Sequence, residues 1–209
     1  MKTKITVLLA LFTLCFANAQ QKEVDQEVNS AKGVRLEKGN MFIEGGVSVS
    51  TVKDDSNSFS INPKFGYLLA DNLAIGLDLD VSGSTVDKGT PLERKNNGFG
   101  IGAFARYYFL ELDSRRLKVF GEAGLGYSHV KTEVSNVDDT TNGIKANITV
   151  GLNYFFTKKW AATFTLADIL TYNNANPENG SSSSSFELNI NLFNNIFAQP
   201  KFGLLYKFQ

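Results

Sequence analysis

From Asn40 onward the chain alternates apolar and polar side chains with a period of two, in runs bounded by Gly, Asn, Asp and Ser. A period of two is that of a strand whose two faces meet different surroundings. Eight runs are predicted as strands: 40–52, 57–69, 73–84, 97–109, 117–131, 142–156, 160–172 and 198–208. No segment of useful length carries a helical period. The stretch SSSFELNINLF also alternates, and its residues 185–193 fit either an extended final loop or an outward extension of the eighth strand. The expected fold class is all-β, an eight-stranded antiparallel up-and-down barrel.

The connections come in two sizes that alternate along the chain. Residues 70–72 and 157–159 are tight and 110–116 is moderately short, whereas 85–96, 132–141 and 173–185 are longer and rich in Ser, Thr, Asn and Asp. In an up-and-down meander all the long connections then share one end, with 53–56 the one brief member of that set. Short turns at one end and long loops at the other are the arrangement of outer-membrane barrels.

Alternation alone does not say which face is buried. Leu73, Ile75, Leu77, Leu79 and Val81 share a face, opposite Ala74, Gly76, Asp78, Asp80 and Ser82. A soluble sandwich, or a lipocalin-like barrel with an apolar interior, would bury the first set. Three features favour a membrane-facing apolar side. Aromatics gather at the short-turn ends, with Tyr67, Tyr107, Tyr154, Trp160, Tyr206 and Phe208 placed to form a girdle at one lipid–water interface. Small residues, among them Gly66, Gly76, Gly102, Gly124 and Gly151, share the charged face, as the crowded inside of a narrow barrel requires. The inward charges nearly cancel: Glu44, Asp78, Asp80 and Glu122 against Lys64, Arg106 and Lys145, with Lys201 and Lys207 at the rim. Within so narrow a lumen these charges must pair, and Arg106 is expected to meet Glu122 or Asp78. Closure requires the last strand to pair with the first near residues 41–49, because hydrocarbon tolerates no open sheet edge.

The first residues set the compartment. Lys2 and Lys4 precede an apolar run from Ile5 to Phe16 and then Ala17-Asn18-Ala19, the three regions of a cleaved secretory leader over residues 1–19. The run is too short to span a membrane as a helix. Cys15, the only cysteine, leaves with the leader, so no disulfide is expected. The 21 basic and 21 acidic residues balance, and that gives no electrostatic reason to expect nucleic acid as a partner. Residues 20–39 are polar and without period, and read as a flexible periplasmic lead-in to a barrel over 40–209.

On these features the chain resembles the small eight-stranded outer-membrane β-barrels, the porin-like group common in Bacteroidota, with a shape similar to the OmpA transmembrane domain or OmpX. The resemblance covers the chain beyond the leader. Its most specific motif is terminal: Lys201, Gly203, Tyr206 and Phe208 match the polar-x-Gly-x-x-aromatic-x-aromatic assembly signal, with Gln209 as one extra residue. The resemblance implies recognition by the barrel-assembly machinery and contact with outer-membrane lipids. It carries no expectation of a peptidoglycan-binding domain after the barrel.

Chemistry is sparse. No nucleotide loop, zinc cluster or cysteine pair is present, and no cofactor or metal is expected. His129, the only histidine, follows Ser128 and precedes Glu133, but neighbours in a strand point to opposite faces and cannot form a nucleophile–base pair. The tracts 137–143 and 173–180 are oxygen-rich yet lack the spacing of a calcium loop. The expected function is therefore not enzymatic. It is an integral barrel with a side-chain-filled lumen and a structural or surface-contact role, with a possible extracellular ligand at 85–96, 132–141 and 173–185. The alternatives are a narrow pore for ions or small solutes and, third, a lipid-modifying enzyme.

Overall fold

The structure, a computed structural model, describes residues 31–53, 55–134, 137–189 and 201–208. The leader over 1–19 and the first part of the lead-in lie outside the described residues. The described residues form nine strands: β1 Met41–Val52, β2 Ser56–Ala70, β3 Leu73–Val86, β4 Arg94–Leu112, β5 Leu117–Val134, β6 Val137–Phe155, β7 Trp160–Pro177, β8 Ser183–Leu188 and β9 Lys201–Phe208. Each of β1 to β7 pairs antiparallel with the next, and β9 pairs with both β7 and β1, so eight staves close a ring. The seam is short: β1 meets β9 from Met41↔Phe208 to Gly45↔Leu204. The eighth stave is shared, since β9 lines β7 from Trp160 to Thr165 and β8 lines it from Leu170 to Ala175. Of the stretch expected as loop or extension, residues 185–188 are thus strand, placed beyond β9 along β7, and residues 190–193 lie outside the described residues.

The strands run further than the sequence pattern suggests. Pairing continues through Thr85↔Lys95, through Lys131↔Thr140 and through Asn173↔Ser185, positions expected in the three long loops. Most of 132–141 and 173–185, and both ends of 85–96, are therefore β-ladder standing beyond the apolar belt. With water on both faces there, no apolar alternation marks the strand, although its backbone hydrogen bonds continue. Pro63 leaves a local mark in β2. It has no N–H to give to the ladder, the register with β3 skips Asn62 and Pro63, and the Asn62 side-chain amide instead donates to Asp80 across the gap.

The two faces of the ring are inverted relative to a soluble protein. Leu77 is 59% exposed and Val47 71% exposed on the outside, whereas Arg106 is 1% exposed on the inside. The lipocalin-like alternative, which needs the apolar face inward, is overturned by this. Inward apolar packing is confined to the end where the short turns lie: Phe42, Leu68, Ala74, Phe104, Tyr108, Phe120, Phe155 and Leu205 form one buried cluster. Residues 31–40 join it. The expected flexible lead-in is, over its second half, packed against this turn end, with Ala31, Val34 and Leu36 buried in the cluster. Among its described residues, the few apolar side chains are the ones that meet the barrel.

A sealed lumen as the candidate functional site

Large rings fit inside the barrel because glycine faces them across the ladder. Phe42 pairs with Gly66, Phe104 lies between Gly76 and Gly124, and Phe120 pairs with Gly151. A Cβ at Gly66, Gly76 or Gly151 would fall within the facing ring. Phe42 and Phe104 stand 6.3 Å apart, and Tyr108 meets Phe120 edge-on at 5.7 Å. These four rings enclose the Arg106 guanidinium, with Phe120 nearest at 4.0 Å and the others within 6.0 Å. Cation–π attraction of this kind strengthens when water is excluded.

Within that cage every guanidinium nitrogen is used. Arg106 Nη1 and Nη2 donate to Glu44 Oε2 and Oε1 at 2.7 and 2.9 Å, a bidentate fork. Nε donates to Glu122 Oε2 at 2.7 Å, Nη2 lies 2.6 Å from the same oxygen, and Nη1 reaches the Tyr108 hydroxyl at 3.3 Å. The other Glu122 oxygen takes the Lys64 ammonium, which also stands over the Phe104 ring at 5.1 Å. Two cations and two carboxylates thus neutralise one another across β1, β2, β4 and β5. From Glu44 the chain of bonds continues through the Thr163 hydroxyl, 3.1 Å away, to the Asn153 amide, 2.6 Å further. Next to Asn153 in the ladder is Lys118, fully buried and bonded to Glu111 at 2.5 Å.

The lumen changes character along its axis. Further from the turns, Asp78, Asp80 and Lys145 share the lumen face with the polar or small Asn62, Asn147, Ser82 and Gly100. Asp80 is held by Asn62, while Thr149 donates to Asp168 at 2.5 Å. At the rim beyond, Glu93 accepts from the Gly89 N–H at 2.8 Å and pairs with Lys95, and that N–H, then the ammonium, hold its carboxyl below the ordinary range. Toward the turns the Arg106 layer rests on rings and then on residues 31–40. Among the described residues, apolar packing closes the lumen at the turn end.

The sequence of residues 7–208 matches the family model described as outer membrane protein beta-barrel domain. The chain belongs to that family. No curated protein matches the sequence. Among solved structures, the outer membrane protein OprG of Pseudomonas aeruginosa is 14% identical, with a TM-score of 0.50 over 83% of this chain and 97% of that one. Neisserial surface protein A is 18% identical, with a TM-score of 0.47 over 81% of this chain and 96% of that one. The attachment invasion locus protein Ail of Yersinia pestis is 12% identical, with a TM-score of 0.47 over 82% of this chain and 99% of that one. The OprG likeness is one of fold.

In this outer-membrane barrel, four of the seven residues expected to form a lumen network lie in one layer: Glu44, Lys64, Arg106 and Glu122. Asp78 lies opposite Lys64 in the ladder without joining its ion pair with Glu122, and Arg106 meets Glu44 rather than Asp78 alongside Glu122. Sequence reasoning missed the ring cage, although Phe104 and Tyr108 flank Arg106 at two-residue spacing on its own face. Of the expected girdle, Trp160 and Tyr206 meet tilted with centroids 4.7 Å apart and Tyr206 meets Phe208 edge-on at 4.9 Å, while Tyr67 and Tyr107 are exposed outward near the same end. Tyr154 is drawn into the turn between β4 and β5, its hydroxyl 3.3 Å from Asp113 and its ring under Arg116. In the terminal motif Gly203 packs against the Gly45 carbonyl, and Lys207 donates to the Arg35 carbonyl at 3.2 Å instead of standing free in water.

Proposed function

We propose that the chain is a closed outer-membrane barrel with a structural or surface-contact role, working through the far end rather than through its lumen. The observation that carries this is the Arg106 layer: a buried guanidinium shared by two carboxylates and caged by four rings inside the barrel. In this reading the short turns face the periplasm. The ladders beyond the apolar belt, around 85–96, 132–141 and 173–185, stand at the cell surface and supply the contact face. Residues 1–19 are a leader cleaved after Ala19. Trp160, Tyr206 and Phe208 sit at the inner lipid interface, and Lys201, Gly203, Tyr206 and Phe208 are read by the barrel-assembly machinery. Catalysis has no support: His129 Nδ1 is tied to Asn142 Oδ1 at 2.8 Å, while Ser128 lies beside Gly143 on the opposite, lumen face. Unchanged lipid A profiles on overexpression are the expected result.

The test of the closed reading is single-channel recording in a planar bilayer, where the folded wild-type barrel gives no steady conductance. The second reading, a narrow gated pore, draws support from one feature: Glu122 is shared between Arg106 and Lys64, so a shift toward Lys64 would loosen one side of the layer. Steady wild-type openings that change with Arg106→Ala favour the pore and overturn the closed reading. Separately, a folded, heat-modifiable species in the outer-membrane fraction is expected on fractionation.

A further inference from the structure

Residues 31–40 lie outside the strand pattern, yet they are sorted by polarity. Ala31, Val34 and Leu36 are buried, while Lys32, Arg35, Glu37 and Lys38 are exposed. The buried three pack in one cluster with Phe42 of β1, Leu68 of β2, Ala74 of β3, Tyr108 of β4, Phe155 of β6 and Leu205 of β9. Those positions are inward and ring the turn end, so the segment covers the mouth rather than leaning on one wall.

The backbone is fastened at separate points around that mouth. Gly33 N–H donates to the Ser114 carbonyl at 2.7 Å, on the turn between β4 and β5. The Leu36 carbonyl accepts from Asn72 N–H at 3.0 Å, and Lys38 N–H donates to Asp71 Oδ1 at 2.9 Å, both on the turn between β2 and β3. Lys207 of β9 reaches the Arg35 carbonyl. The segment turns in and out at two glycines in the left-handed region, Gly33 at φ 77° and Gly39 at φ 89°, where other residues are strained. The turn that receives Gly33 holds Asp113, Ser114 and Arg115 all at positive φ. Three consecutive non-glycine residues in that region persist only where surrounding contacts hold them.

We infer that residues 31–40 are a plug, a second seal on the periplasmic mouth in series with the Arg106 layer. The inference rests on the closed-barrel reading and adds to it that neither seal alone controls passage. A solute entering from the far end is stopped at Arg106, and with that layer opened it is stopped again by Val34 and Leu36. Release of the plug, by any event that draws residues 31–40 out of the mouth, converts the barrel from a doubly to a singly closed one.

Conductance of four folded barrels tests this: wild type, Arg106→Ala, the pair Val34→Asp and Leu36→Asp, and all three substitutions together. Folding is verified for each by its heat-dependent gel shift. The expected result is silence of the first three and steady openings of the combined variant. Openings of equal size with Arg106→Ala alone, or with the plug pair alone, overturn the series arrangement, as does silence of a folded combined variant. Wild-type openings refute the closed-barrel reading instead, and the plug is then decided by a second measurement that also serves if the combined variant fails to fold. Ala74→Cys places a thiol under the plug in a chain whose other cysteine lies in the leader. It should resist a polar maleimide in the otherwise wild-type barrel and react once Val34 and Leu36 are Asp. Equal labelling in both overturns the plug.

Discussion

Replacing Arg106 by Met keeps most of the side-chain volume and removes the charge, leaving Glu44 and Glu122 in place. Their fates differ. Glu122 retains Lys64, which is partly accessible. Glu44, nearly as buried as Arg106, keeps the Thr163 hydroxyl at 3.1 Å and, across the ladder, a Lys64 whose ammonium is bonded to Glu122. Four charge-assisted contacts of 2.6 to 2.9 Å disappear together, but they act as one unit and are not additive. The relevant scale is that of breaking a buried ion pair from one side, about 3–5 kcal/mol. Loss of the cation from the Phe120 face adds to it, on the order of 2 kcal/mol for a desolvated contact. A drop of roughly 5–7 kcal/mol in unfolding free energy is therefore expected, on the scales of these two terms. Adding Glu44→Gln removes the stranded carboxylate, so the double variant should recover a large part of that loss although it has fewer polar contacts than either parent. The assay is urea unfolding in lipid vesicles, with folded and unfolded fractions separated by gel mobility. A loss below about 1 kcal/mol for Arg106→Met, typical of an exposed pair, would refute the buried-layer reasoning. A double variant less stable than Arg106→Met would refute the assignment of the cost to Glu44.

Gly66→Ala puts a methyl group into the Phe42 ring and should destabilise by about 1–3 kcal/mol, the scale of overpacking; combining it with Phe42→Leu should restore most of that in the same unfolding assay. Trp160→Ala removes the tilted ring contact with Tyr206 and should cost about 0.5–1.5 kcal/mol beyond the lost area, read as an earlier urea midpoint. At the far rim the Glu93 carboxylate holds the Gly89 N–H and the Lys95 ammonium, and its affinity for protons is lowered by them. A depressed carboxylate contributes order above the ordinary carboxylate range and loses it as pH falls through its own lowered value. Hydrogen exchange at the Gly89 amide should accelerate over that fall beyond its intrinsic pH dependence, and Glu93→Gln should abolish the change. An unchanged profile in the variant would show that Glu93 does not fix the loop.

The strands and their faces were legible because hydrocarbon imposes a strict period of two, and residues such as Leu73, Ile75 and Leu77 obey it over the belt. Register was not. A period of two assigns Arg106 and Glu44 to the same face but says nothing of which rungs bring them together, and 62 residues separate them in the chain. Glu122 was within reach of sequence reasoning because β4 and β5 are a simple hairpin, so the partner of Arg106 follows from the turn. Glu44 depends on the stagger accumulated around the ring and on closure through β9. The strand extensions past Lys131 and Tyr172 were hidden for a different reason: above the belt both faces are wet, and hydrogen bonding persists without any hydrophobic record of it. Residues 31–40 combine both difficulties. Three apolar residues among ten give no period, and what they meet is the inside of a mouth that exists only once seven other strands have closed. Interior polar contacts are therefore the least legible part of such a barrel and also the part on which the proposed closure rests. The sequence marks the candidates for the seal, and the register chooses among them.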